Sequence, residues 1–343
     1  MMFWIVLIIA LLASMVWGIM FLRQLKTGLT TTALDDKFTW GLYVQGFFYF
    51  SALAGGILIF IAVVTLFELK SLGPLVDIGA AVSFGCLVAA GLLLGSDLGK
   101  PFRGMKILSG KNFASPLTWD FYMLSLCGLL IVLFLLGWVP KEGALTTLWS
   151  VLCLIAALGF VMIHTLFFLS RVGAGFRSQP FLGLDTLAQS LWGGMALINL
   201  IALSSDIRPF SMVRLLLIGT VLTLITLMGA HIAYLSNKRK GFDQKKIIGL
   251  DALILVILVL IQIIAPKSTV LIAIASVLIL FAVFLEKSHL MREYQVKPTL
   301  PLPYSRYETA PEYAPTANEW ILTLGSAGVC VFLSVAIIML RVN

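Results

Sequence analysis

Glu68, Asp97, Asp120, His164, Asp251 and Glu286 lie within or beside long apolar runs, and His231 sits near the end of another. Ionisable groups are costly in hydrocarbon and mark function by default. Glu68, Asp251, Glu286 and His231 fall at run ends, where reaching water accounts for them. The others converge. Trp40, Tyr43, Gln45 and Tyr49 open the second run, Asp97 and Lys100 end the third, Asp120 and Tyr122 open the fourth, and His164 and Arg171 close the fifth. If successive runs alternate in direction, all of these ends share one face. A carboxylate, an imidazole, phenols and an amide would then line one pocket. A quinone ring needs hydrogen-bond partners for two carbonyl oxygens and a proton carrier, and these residue types suit both tasks. The same spacing also fits aromatic and acidic residues that anchor helix ends in the headgroup zone.

Gln45, Tyr49 and Gly56 share one face of a helix, and Gly55 and Gly56 admit a neighbouring helix or a flat ligand. Haem is constrained by histidine supply. Only His164 and His231 could ligate one b-type haem, since His289 falls in a polar loop. Cys86, Cys127, Cys153 and Cys330 all lie in apolar runs without a CxxC pair and read as packing residues. The chain is expected to hold no metal, haem or iron–sulfur cluster of its own.

The elements that must position these groups are membrane spans. Hydrophobic residues make up 60% of the 343, charged residues 12%, and the mean hydropathy is +1.04. A soluble fold could not cover itself with so little polar surface. Apolar runs of about 20 residues, each able to cross a bilayer, recur about ten times. They fall near 3–22, 41–67, 75–96, 117–138, 147–170, 184–204, 212–235, 248–264, 268–286 and 318–340. Helices satisfy every backbone polar group internally, so an all-α integral membrane protein is expected. The first run lacks a basic leader segment and a small-residue cleavage site, so it reads as a span.

The net charge of +8 does not point to nucleic acid, because the basic residues cluster in short loops. Of 24 Lys and Arg, 18 follow the odd-numbered spans, with Lys238, Arg239, Lys240, Lys245 and Lys246 forming the densest group. That bias puts this face in the cytoplasm, both termini outside and the pocket near the cytoplasmic surface. The segment 287–317 is rich in Pro and Tyr, and reads as either a solvated connector or a partner-docking strip.

The stretches Trp40-Gly41-Leu42-Tyr43 to Ala54-Gly55-Gly56 and Ser115-Pro116-Leu117-Thr118-Trp119-Asp120 resemble the NrfD/polysulfide reductase membrane-subunit family. The stretch from Tyr313 to Gly325, with Pro315-Thr316 and Glu319-Trp320, is similar to its C-terminal signature. Ser-Pro-Leu-x-Trp-Asp is the most specific piece. Ten spans match the longer branch of that family. The resemblance implies two four-helix bundles, at 41–171 with the quinone site and at 172–286. They would be flanked by the first span with its loop (1–40) and by 287–343, the Pro/Tyr-rich loop and last span. It also implies a haem-free quinone-reactive subunit of an inner-membrane, anaerobic respiratory complex. Such subunits exchange electrons with a ferredoxin-like iron–sulfur protein that serves a molybdopterin, hydrogenase or multihaem subunit. Where the longer branch often carries a span-2 histidine, this chain reads Ala52-Leu53-Ala54-Gly55-Gly56.

The expected mechanism has menaquinone or ubiquinone held by Tyr43, Gln45, Tyr49, Tyr122 and His164, with Asp120 and Asp97 moving protons. Lys100, Arg103 and Arg171 would dock the partner. The terminal substrate would be turned over elsewhere. The rival class is a ten-helix secondary transporter hinged on glycines such as Gly193 and Gly194; a third is a purely structural anchor.

Overall fold

The computed structural model describes residues 2–34, 38, 40–99, 101, 106, 113, 115–171, 182–204, 218–223, 225, 253, 256–260, 262–264, 268–295 and 313–342. Eight long helices carry them: α1 (Met2–Thr27), α2 (Leu42–Leu66), α3 (Pro74–Asp97), α4 (Pro116–Leu135), α5 (Ala144–Arg171), α6 (Leu182–Ser204), α7 (Thr269–Gln295) and α8 (Ala317–Val342). Seven of them, all but α6, are long and apolar enough to cross a membrane. No strand occurs among the described residues. The chain is an all-α integral membrane protein. Most of the expected seventh and eighth spans lies outside the described residues, as does the basic cluster 238–246.

Local chemistry sets the helix ends. Pro74 and Pro116 each occupy the first turn, where the missing N–H is no loss. After α4, Gly137 takes φ +77°. Its N–H donates to Phe134 O while Trp138 N–H donates to Leu133 O, a Schellman cap. Glu68 fills the same left-handed position after α2 at φ 49°. It is exposed, which agrees with the reading that it simply reaches water.

α2 is the hub. Its residues are buried almost throughout, because it packs on α3, α5, α6 and α7. Close approach to α6 demands glycine. A Cβ on Gly56 would lie 1.8 Å from Ser190 O, and one on Gly194 would lie 2.8 Å from Ile57 N. Gly56, Gly193 and Gly194 are therefore accounted for by helix packing. Helices α2 to α5 close into a ring, and α8 fills the gap between α1 and α3. Apolar side chains on α1, α4, α5 and α7 remain exposed, as lipid-facing surfaces require.

At one end of the bundle, Arg341 pins three helices. It pairs with Asp77, donates to Phe134 O at 2.8 Å and Leu135 O at 3.1 Å, and sits over the Phe134 ring. At the other end, α7 runs to Gln295, nine residues past the end of the expected ninth span. A stretch expected as loop is thus helix, and Lys287 within it is only 3% exposed.

Candidate functional site

Ser115 takes an extended conformation at the N-cap of α4, and Pro116 starts the helix. Trp119 Nε1 donates to Phe113 O at 2.8 Å, tying the preceding segment to the first turn. Asp120 then projects inward from the second turn and is 2% exposed. Across from it, α5 presents His164, also 2% exposed, with Nε2 3.3 Å from Asp120 Oδ1. That approach is within ion-pair reach but lacks hydrogen-bond alignment. Both carboxylate oxygens and both imidazole nitrogens have no hydrogen-bond partner among the described residues. Buried polar atoms are normally satisfied, so each exception asks for an explanation.

The imidazole is boxed by aromatic rings. Phe48 meets it edge-on at 4.9 Å, Phe160 at 5.2 Å and Phe47 at 6.0 Å between centroids. These contacts fix the ring and keep water from it. Beside Asp120 a crevice of about 180 Å³ opens between α3 and α4. Its lining is apolar apart from Asp120: Phe47, Gly91, Leu94, Gly95, Leu117 and Leu124 form most of it. Leu98, another lining residue, is 39% exposed, so the crevice reaches the molecular surface. An apolar cavity with one convergent polar group is the usual form of a small-molecule site.

The residues expected to share one pocket divide among several places. Asp120 and His164 come together. Gln45 and Tyr49 turn toward α7: Gln45 Nε2 donates to Phe284 O at 3.3 Å, and Tyr49 packs edge-on against Phe284. Gln45 also lines a second cavity of about 200 Å³, with Trp40, Phe284, Ser288, Tyr313 and Trp320. Tyr43 turns the other way, and its hydroxyl donates to Gln24 Oε1 of α1 at 2.8 Å. The cause is helix geometry, because positions 43, 45 and 48 on α2 point in three directions. Tyr122 lies with Phe113 and Trp119 at the helix start, outside the crevice lining. Asp97 is half-buried at the end of α3, within the electrostatic reach of Tyr43 and Glu319. Lys100 and Arg103 lie outside the described residues; Arg171 is the last residue of α5.

Two features escaped the sequence reading. The first is a clasp around Glu319, which is 0% exposed. Thr316 and Glu319 form a capping box: Thr316 N–H donates to Glu319 Oε2 at 2.8 Å and Glu319 N–H to Thr316 Oγ1 at 3.3 Å. Ala33 N–H donates to Oε2 at 3.1 Å, and the Tyr313 hydroxyl to Oε1 at 2.5 Å. Leu42 N–H in turn donates to Tyr313 Oη at 2.8 Å. Burial, then the bond to Glu319, pushes the Tyr313 phenol well above its ordinary range. Thr-x-x-Glu before an apolar run was the available signal. The second is Lys287, buried in α7 and acted on by the charges of Asp185 and Glu286. Asp185 also accepts from Gln189 Nε2 at 2.7 Å. A helix boundary drawn too early concealed it.

All four cysteines are buried and free, with Cys86 and Cys330 Sγ atoms 3.6 Å apart between α3 and α8. No group of three or more metal-ligating residues occurs among the described residues.

Comparison with known proteins adds two findings. A curated relative from Halobacterium salinarum, a "putative dimethyl sulfoxide reductase membrane subunit", is 26% identical over 236 residues. That match takes in 62% of this chain and 53% of the relative, so the chain spans about half the length of the curated relative it matches. A family model, polysulphide reductase NrfD, matches residues 30–298, which include α2 to α7 and the crevice. The chain belongs to the polysulphide reductase NrfD family.

Proposed function

We propose that this chain is the quinone-reactive membrane subunit of an inner-membrane reductase complex used in anaerobic respiration. The observation that carries the proposal is the Asp120–His164 pair, buried at 3.3 Å beside an apolar crevice that reaches the surface. The relative's description as a reductase membrane subunit supports the wider role.

A quinol, in this account menaquinol or ubiquinol, enters the crevice from the lipid between α3 and α4. One hydroxyl donates to the Asp120 carboxylate, whose oxygens otherwise lack partners among the described residues. On oxidation the quinol gives up two protons and two electrons. The protons leave through Asp120 and His164, a carboxylate and imidazole close enough to pass a proton. The electrons leave to a ferredoxin-like iron–sulfur subunit docked on the same face, and from there to a molybdopterin, hydrogenase or multihaem subunit. The aromatic box keeps the imidazole oriented beside Asp120, and the crevice, open to the surface beside the carboxylate, lets the protons pass on to water. Gln45, Tyr49 and Tyr43 have their nearest partners elsewhere and act in this account as structural groups.

Asp120→Asn tests the proposal in the purified native complex. It is expected to abolish quinol-linked turnover while leaving the complex assembled; wild-type turnover would remove Asp120 from the mechanism.

A further inference from the structure

α3 contains four glycines, and packing explains only two. A Cβ on Gly79 would lie 2.6 Å from Ile61 Cγ2, and one on Gly85 would lie 2.6 Å from Cys330 O. Neighbouring helices require glycine at both places. Among the described residues, an added Cβ at Gly91 would meet nothing within 4 Å, and one at Gly95 only Pro101 Cβ at 3.8 Å. Neither of these has a left-handed backbone. A helical glycine costs about 1 kcal/mol relative to alanine, and no contact among the described residues offsets that cost here.

Gly91 and Gly95 are one helical turn apart and both line the crevice that holds Asp120. Their i, i+4 spacing puts them on one face of α3, where each leaves its backbone uncovered. Opposite stand Leu117 and Leu124 of α4, with Phe47 at one side. On the α3 wall the two glycines lie beside Leu94 and Leu98, which also line the crevice, and leave between them a gap that suits a flat ring. Asp120, 2% exposed and with both oxygens lacking hydrogen-bond partners among the described residues, supplies the polar contact.

Resting on the quinone-site proposal above, we propose that Gly91 and Gly95 are positioning residues that form the floor for the quinone ring. The ring lies against the α3 backbone in van der Waals contact, which brings a ring oxygen to Asp120. A methyl group at either position would lift the ring from that floor without crowding any described neighbour, since Pro101 Cβ at 3.8 Å from Gly95 is at ordinary contact distance.

The test is steady-state kinetics of the purified native complex with a short-chain quinol, comparing Gly91→Ala, Gly95→Ala and Gly91→Leu with wild type. The expected result is a KM raised about tenfold, the factor that 1.4 kcal/mol of lost contact represents, with kcat retained and thermal stability undiminished. Gly128→Ala is the control. A Cβ there also meets nothing within 4 Å among the described residues, and Gly128 does not line the crevice, so KM should stay at the wild-type value. An unchanged KM in all three floor variants would overturn the inference. Asp120→Asn, run alongside, separates the two levels. If it abolishes turnover while the floor variants are silent, only the glycine floor is wrong. If it is also silent, the site itself is misplaced.

Discussion

Asp120 of α4 and His164 of α5 face each other at 3.3 Å, both 2% exposed, on two helices joined by the turn after Gly137. Neither has a hydrogen-bond partner among the described residues. An aromatic wall covers the imidazole and an apolar crevice flanks the carboxylate. Such a pair is poorly suited to stabilising the fold, since buried ionisable groups without hydrogen bonds are penalised. It is well suited to exchanging protons with a ligand.

The contact between α2 and α6 should be intolerant of a single methyl. The Cβ of a Gly56→Ala variant would fall 1.8 Å from Ser190 O, which is backbone and cannot swing away. The helices must separate, so expression in membranes and the thermal midpoint should both fall sharply. Wild-type stability in this variant would show that α2 and α6 do not touch at Gly56 and Ser190.

The Glu319 clasp should matter for stability and not for chemistry. Glu319→Ala strands Ala33 N–H, Thr316 N–H and the Tyr313 hydroxyl. Leaving buried donors unpaired costs about 1–3 kcal/mol each, and these half-buried ones should fall at the low end of that range. A lowered unfolding midpoint with quinol affinity retained is the expected outcome, read by thermal denaturation and KM together.

Alkaline pH should loosen the same clasp. The folded state holds the Tyr313 phenol above its ordinary range, through burial first and the Glu319 bond second. The clasp's contribution is therefore fully present below the unfolded phenol's pKa of about 10, and is lost as pH rises beyond it. Stability measured from pH 7 to 11 should stay level and then decline. Tyr313→Phe should flatten that decline.

In the proposed orientation, which follows loop charge, the crevice lies on the cytoplasmic side. A reporter fused after residue 240 should be active in its cytoplasmic form. Activity only in the periplasmic form would move the electron-accepting partner to the outside.

The hydropathy of the chain made the helices legible, because a span has to be long, apolar and internally hydrogen-bonded. The start of α4 was legible for the same reason that Ser-Pro starts helices, and Asp120 followed from its place in that motif. The pairing of Asp120 with His164 was only half visible. Sequence put both near one face, but could not say which direction each position on α2 points. Tyr43, Gln45 and Tyr49 therefore read as neighbours of His164, although Phe47 and Phe48 hold that place. Lys287 was hidden because α7 stays helical through polar residues, where hydropathy alone ends it. Gly91 and Gly95 looked like any other small residues, since only packing reveals which glycines are not required by a described neighbour.

The most direct test of the central claim is quinol-dependent turnover of the intact native complex carrying Asp120→Asn, with His164→Gln beside it. Loss of a general acid–base group should lower the rate about 10²–10⁴-fold, with the complex assembled and artificial-donor activity of the partner subunits intact. Turnover at the wild-type rate in both variants would contradict the account.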